Sequence, residues 1–173
     1  METRWANFGF LGSLLLSLYG FIYFIVYHFS DALVGPQGAS IIMGFLGILA
    51  GLGGIFFSLG FLAFQFELGV SWGWLSTIVG SIAWGLQCAG HMLLAANLLV
   101  GAQLYSWAIF VLMLTFLLWG FTIYSTKNKT LYKQQYAIFT GILFLLNALF
   151  WLSYFGFAIL CLASLLSAFI FVP

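Results

Sequence analysis

The sequence predicts an all-α integral membrane protein: one transmembrane domain over residues 1–173, built as a bundle of about six transmembrane helices. Three observations lead to this fold class. Apolar residues make up 65% of the 173 residues. Only 4% of the residues are charged, whereas a soluble domain carries about 25%. The apolar residues form long continuous runs that match the roughly 20 residues a helix needs to cross a bilayer. This composition excludes a soluble enzyme, a nucleic-acid-binding protein and a disordered tail.

The N-terminal half contains three predicted spans. The first covers residues 8–28, which is longer than the apolar core of about 7–15 residues in a signal peptide, so we interpret it as a retained span. A connector that contains Pro36 leads to the second span, at residues 39–64. After a connector at residues 65–73, the third span covers residues 74–100.

The C-terminal half is predicted to contain three further spans. A tight turn at residues 101–103 precedes the fourth span, and the most polar connector of the chain, residues 126–133, follows that span. One helix over the segment that remains would measure about 60 Å, twice the ~30 Å of the hydrocarbon core. The segment must therefore fold back, and we predict its turn at residues 153–156. The resulting spans are 104–125, 134–152 and 157–172.

The basic residues indicate an orientation. Arg4 precedes the first span, and Lys127, Lys129 and Lys133 lie in the connector between spans four and five. With a cytoplasmic N-terminus and six crossings, all four fall on the cytoplasmic side, which is the pattern of the positive-inside rule. We therefore predict cytoplasmic N- and C-termini in a multi-pass protein, and we expect a prokaryotic plasma membrane.

Span two carries a stripe of small residues. Their spacing in steps of three and four places them on one helix face. Small residues let helix backbones approach closely in lipid, where apolar surface gives helices little drive to associate. The stripe predicts close helix packing within the protein, a subunit interface, or backbone that lines a narrow path. Its members are Gly44, Gly47, Gly51, Gly54 and Ser58.

Span three is the most polar of the six spans. Thr77, Gln87 and His91 fall on one face at about 100° per residue, and Gln87 and His91 are neighbours on that face. An unpaired amide or imidazole is costly in lipid, so this face is predicted to look into the bundle or into a wet cavity. An ionisable residue inside a membrane indicates a functional site. The alternative is structural: Gln87 and His91 satisfy each other or a backbone carbonyl.

Span five adds Asn147, which shares a face with Thr140 and Trp151. A buried amide needs a hydrogen-bond partner in a dry interior, and span three is a candidate source of that partner. The candidate solute path, or buried polar cluster, therefore consists of Gln87, His91, Asn147 and Thr77.

No pattern for catalysis, metal binding or a cofactor is present in the sequence. No Asp, Glu, Lys or Arg lies deep in a predicted span, and no Ser-His-Asp set, HExxH motif or phosphate-binding loop occurs. His28 and His91 are predicted at depths that differ by about 13 Å, which is unfavourable for two axial ligands of one haem. We predict no enzymatic activity, no metal and no cofactor.

The architecture resembles that of small acetate/succinate uptake proteins, which also combine six short spans with a glycine-rich second span. Those proteins carry an Asn-Pro-Ala-Pro-Leu-Gly motif at the first span. Residues 7–12 of this chain read Asn-Phe-Gly-Phe-Leu-Gly and contain neither proline. The resemblance is one of architecture and assigns no residues.

Two functions of different classes remain. The first is a channel-like transporter for a small neutral or weakly acidic solute, with a path between spans two and three. A neutral lining suits such solutes because a partly dehydrated ion needs compensating charge or carbonyl groups. The second is a non-catalytic subunit of a larger membrane complex, indicated by very short connectors and the absence of buried charge. The expected partners are the lipid bilayer and either further copies of the chain or other membrane subunits, but no nucleic acid.

Overall fold

The fold is all-helical, as predicted. The computed structural model describes residues 4–33, 36–129 and 133–172, and the side chains of these residues except those of 27–39 and 154; within these ranges it contains no strand. The helices are α1 (Arg4–Leu33), α2 (Pro36–Leu68), α3 (Gly73–Ala95), α4 (Val100–Ser125), α5 (Gln134–Phe150) and α6 (Tyr154–Phe171).

Four of the helices, α1 to α4, are long and apolar enough to cross a membrane. α5 and α6 are apolar but contain only 17 and 18 residues, near the lower limit of about 17 residues for a spanning helix. The predicted fold-back of the C-terminal segment is confirmed, although the break falls slightly earlier than predicted, after Phe150. There the hydroxyl of Ser153 donates a hydrogen bond of 2.7 Å to the Phe150 carbonyl oxygen.

The six helices form a closed ring. Each helix packs against its neighbours in the sequence, and α6 packs against α1. Because the connectors are short, consecutive helices run antiparallel. We call the end that holds the start of α1, the end of α6 and the α2–α3 and α4–α5 connectors the terminal end. The opposite end, where α1, α3 and α5 end, is the distal end.

Aromatic side chains fill the ring from its middle to its terminal end. The Trp119 ring centroid lies 4.6 Å from that of Phe57 and 5.5 Å from that of Phe144. Ring pairs at such separations add to the stability that burial itself provides. This aromatic core consists of Phe57, Phe61, Phe64, Trp84, Phe116, Trp119, Phe144 and Phe171, all of them fully buried.

The break between α3 and α4 differs from the prediction. α3 ends at Ala95, so the predicted span 74–100 is too long, and the predicted turn at residues 101–103 lies inside α4. Asn97 causes the break: its φ is 60°, in the left-handed region that asparagine tolerates better than most residues. The N–H groups of Asn97 and Leu98 donate to the carbonyls of Leu94 and Leu93, which is the hydrogen-bond pair of a Schellman motif.

α2 is longer than predicted at both ends. It begins at Pro36, inside the predicted connector, because proline fits the first turn of a helix, where its missing N–H needs no partner. It continues past residue 64 to Leu68, and Gly69 then adopts a φ of 62°. Lys129, in the α4–α5 connector, donates to the carbonyl oxygens of Leu68 and Gly69 and so caps this helix end. Residues 130–132 of the predicted connector lie outside the described residues.

Candidate functional site

The small-residue stripe of α2 faces α3 within the same chain. A Cβ atom added to Gly47 would lie 2.8 Å from the Cβ atom of His91, and one added to Gly51 would lie 2.9 Å from that of Cys88. At Gly54 it would overlap the ring of Trp84, whereas Gly44 has room for it. No space for a solute remains between α2 and α3 at these contacts, so the predicted path between spans two and three is wrong.

Thr77 and Ser58 belong to the same helix contact. The Thr77 hydroxyl oxygen lies 2.9 Å from the carbonyl oxygens of both Ser58 and Gly73. The Ser58 hydroxyl donates to the Gly54 carbonyl at 2.6 Å. Thr77 lies ten residues before Gln87, about 15 Å along the helix. The structure therefore does not bring Thr77 together with Gln87 and His91, although the three residues share one face.

Gln87 and His91 do lie together, and both side chains are fully buried. The Gln87 Nε2 atom donates a hydrogen bond of 3.2 Å to the hydroxyl of Tyr19, on α1. The Nδ1 atom of His91 lies 2.8 Å from the backbone carbonyl oxygen of Gln87. Because a carbonyl oxygen only accepts, Nδ1 is the donor in this bond, and in the neutral ring Nε2 is then an acceptor.

One polar atom of each of these two side chains has no hydrogen-bond partner among the described residues. These atoms are Gln87 Oε1 and His91 Nε2, and both are acceptors. An unpaired buried acceptor costs about 1–3 kcal/mol. The structural alternative, in which Gln87 and His91 satisfy each other or a backbone carbonyl, therefore holds only in part. The Gln87 carbonyl bonds to His91 Nδ1, but Gln87 Oε1 and His91 Nε2 stay unpaired within the described ranges.

Three tyrosines surround the imidazole. The His91 ring centroid lies 5.1 Å from that of Tyr105, 6.0 Å from that of Tyr23 and 6.1 Å from that of Tyr19. The hydroxyl oxygens of Tyr23 and Tyr105 are 3.1 Å apart. Sequence reasoning missed these tyrosines as site residues. The available signal was the spacing of Tyr19 and Tyr23, which places two hydroxyl groups on one face of an apolar span.

A cavity of about 200 Å³ lies at the distal end, next to this cluster. Its volume is several times the ~30 Å³ that one water molecule occupies in the liquid. Tyr23 and Tyr105 line the cavity, and the rings of both also lie against the His91 ring. The lining of this distal cavity consists of Tyr23, Tyr105, Ile109, Trp151, Leu152, Ser153 and Phe157.

Asn147 is fully buried on α5, yet neither of its amide atoms has a hydrogen-bond partner among the described residues. The hydrogen bond considered between Asn147 and span three is therefore not formed. Asn147 lies one helical turn from Trp151, which lines the distal cavity. The Trp84 indole nitrogen is also unpartnered within the described part of the chain, and its ring centroid lies 6.3 Å from that of Trp151. Unpartnered polar atoms thus continue from Gln87 and His91 towards the middle of the bundle.

The described part of the chain brings no three His, Cys, Asp or Glu side chains together. His28 lies in α1, but its side chain is outside the described residues. α3 ends four residues after His91, about 6 Å along the helix axis. His91 is therefore closer to the distal end than the predicted span placed it.

Comparison with protein-family models, with curated proteins and with solved structures finds no match for this chain.

Proposed function

We propose that this protein is a channel-like transporter for a small neutral or weakly acidic solute. The solute enters the distal cavity and binds beneath it, at Gln87 and His91. The observation that supports this proposal most strongly is the pair of unpartnered acceptors, Gln87 Oε1 and His91 Nε2, next to tyrosines that line the cavity. In a site that served packing alone, apolar residues of similar size would give greater stability, because they leave no buried polar atom unpaired.

The path in this proposal follows the inside of the helix ring. From the distal cavity it passes Gln87 and His91, then Trp84 and Asn147. Beyond them the aromatic core fills the ring, so we assign this conformation to a closed state that is accessible from the distal end. Passage requires a second conformation in which core rings, Trp84 first, move aside. A solute that binds the second conformation more tightly than the closed state shifts the population towards the second conformation.

Removing either acceptor is expected to slow solute flux. In liposomes that contain the purified protein, Gln87→Leu and His91→Leu should each lower the flux about tenfold, because a lost hydrogen bond to the solute is worth roughly 1.4 kcal/mol. Ser106→Leu is the matched control. Ser106 is exposed on α4 and its hydroxyl bonds only to its own helix, at the Ala102 carbonyl. Normal flux in both α3 variants, with normal expression and folding, contradicts the proposal.

The accessory-subunit function is tested separately. The complex is extracted from native membranes in mild detergent, and its mass and composition are measured. We expect the chain alone, as a monomer or a homo-oligomer. Migration with other membrane subunits at a fixed stoichiometry would overturn the transporter proposal in favour of a non-catalytic subunit, and Gln87 and His91 would then be packing residues.

We also propose cytoplasmic termini in a prokaryotic plasma membrane. All four basic residues of the chain belong to the terminal end: Arg4 begins α1, and Lys127, Lys129 and Lys133 lie in the connector between α4 and α5. Their position at one end supports the positive-inside orientation.

The orientation is tested by labelling cysteines in intact cells with a membrane-impermeant thiol reagent. Leu99→Cys, at the distal end, should react at once, whereas Asn128→Cys, at the terminal end, should react only after permeabilisation. Both positions are exposed in the structure. The unsubstituted chain, with Cys88 and Cys161, gives the background. The opposite labelling pattern would reverse the proposed orientation.

A further inference from the structure

The unpartnered atoms beneath the distal cavity are both hydrogen-bond acceptors, and this restricts what can bind there. One donor of each of the same two side chains is already engaged. Gln87 Nε2 donates to Tyr19, and His91 Nδ1 donates to the Gln87 carbonyl. The face of α3 therefore offers a ligand two lone pairs, one helical turn apart, and one N–H, the second hydrogen of Gln87 Nε2.

This pattern disfavours a carboxylate. A carboxylate is acceptor-only, so its oxygens would meet the lone pairs of Gln87 Oε1 and His91 Nε2. A buried anion also needs a cation or several donors, and every Lys and Arg of the chain belongs to the terminal end. A neutral NH2 group, in contrast, has two hydrogens and can donate one to each acceptor.

Tyr19 supplies the complementary group. Its hydroxyl oxygen accepts the hydrogen bond from Gln87 Nε2, which leaves the hydroxyl proton available as a donor. A ligand that carries a carbonyl beside its NH2 group can accept this proton while it donates to Gln87 and His91. Resting on the function proposed above, we infer that the solute is a small neutral amide of the carboxamide or urea class, and that Gln87, His91 and Tyr19 select it over carboxylates.

The test compares solutes that differ mainly in their N–H groups. Acetamide has two N–H donors, N-methylacetamide has one and N,N-dimethylacetamide has none; acetate supplies the anion. Protein-dependent flux is measured in liposomes, after subtracting the flux through protein-free liposomes. We expect acetamide to exceed N,N-dimethylacetamide and acetate by roughly tenfold or more. The double variant Gln87→Leu/His91→Leu should lose this preference.

The outcomes separate the selectivity from the transport function. If acetate or N,N-dimethylacetamide crosses as fast as acetamide in a protein-dependent way, transport stands and the amide selectivity is wrong. If no solute crosses, binding is tested separately by the thermal unfolding temperature of the detergent-solubilised protein, because a ligand that binds the folded state raises this temperature. A rise with acetamide that N,N-dimethylacetamide does not produce, and that the double variant lacks, retains the amide site and overturns transport. The absence of any rise overturns both.

Discussion

Replacing Gly54 with alanine is expected to lower the stability of the protein far more than the same replacement at Gly44. A methyl group at Gly54 would overlap the ring of Trp84, which is fully buried. The Trp84 ring has little room to move, since it stacks on Trp119 with centroids 6.2 Å apart. Overpacking of this kind costs about 1–3 kcal/mol. At Gly44 the nearest atom would be the Cβ of Ala95, at 3.8 Å, and alanine favours a helix by about 1 kcal/mol relative to glycine.

The measurement is thermal unfolding of the two purified single variants in the same detergent. We expect Gly54→Ala to unfold at a clearly lower temperature than the unsubstituted protein, and Gly44→Ala to unfold at the same or a higher one. Adding Trp84→Phe to Gly54→Ala makes room for the methyl group and should restore part of the loss. Equal unfolding temperatures for the two glycine variants would show that α2 and α3 are not held as closely at Gly54 as the structure has them.

The fold class could be predicted from the sequence because it depends on properties of the whole chain. Long apolar runs with almost no charge are typical of a helical membrane protein, since a helix pairs its backbone polar groups within its own segment, as lipid requires. The helix ends were harder to predict. The break after Ala95 depends on the left-handed conformation of a single residue, Asn97, which hydropathy does not detect, and the glycine at residue 101 is an equally good turn signal from composition alone.

The site could be predicted only in part, for a geometric reason. Gln87 and His91 stand out because polar residues are rare in an apolar span. A projection down the helix axis also placed Thr77 beside them, because such a projection discards the depth along the axis, here about 15 Å. The partners contributed by other helices, Tyr19 and Tyr105, depend on the closing of the ring, which brings α1 and α4 to the same interior as α3. The spacing of Tyr19 and Tyr23 indicates a polar face on α1, but no local pattern indicates which helices that face meets.

Replacing Asn147 with leucine is expected to make the protein more stable and less active. Leucine has the same branching and the same number of side-chain heavy atoms as asparagine, and it removes two buried amide atoms that have no partner among the described residues. Each unpaired buried group costs about 1–3 kcal/mol, so the free energy of unfolding should rise by an amount in that range. In the proposed path Asn147 follows Gln87 and His91, and solute flux should fall because the solute loses a hydrogen-bonding position. Such a gain in stability with a loss of function is typical of residues retained for activity.

The control for Asn147→Leu is a buried polar residue that does have a partner. The hydroxyl of Thr122 lies 2.7 Å from that of Ser76, so Thr122→Val should lower the stability by about 1 kcal/mol and leave the flux unchanged, since Thr122 lies near the terminal end of the α3–α4 contact. Unfolding in detergent and flux in liposomes are measured for both variants. A less stable Asn147→Leu protein with normal flux would mean that Asn147 is bonded in the folded protein and lies outside the path. A more stable Asn147→Leu protein with normal flux would mean that the Asn147 amide is unpaired in the folded protein but lies outside the path. The solute would then have to reach the aromatic core directly from Gln87 and His91.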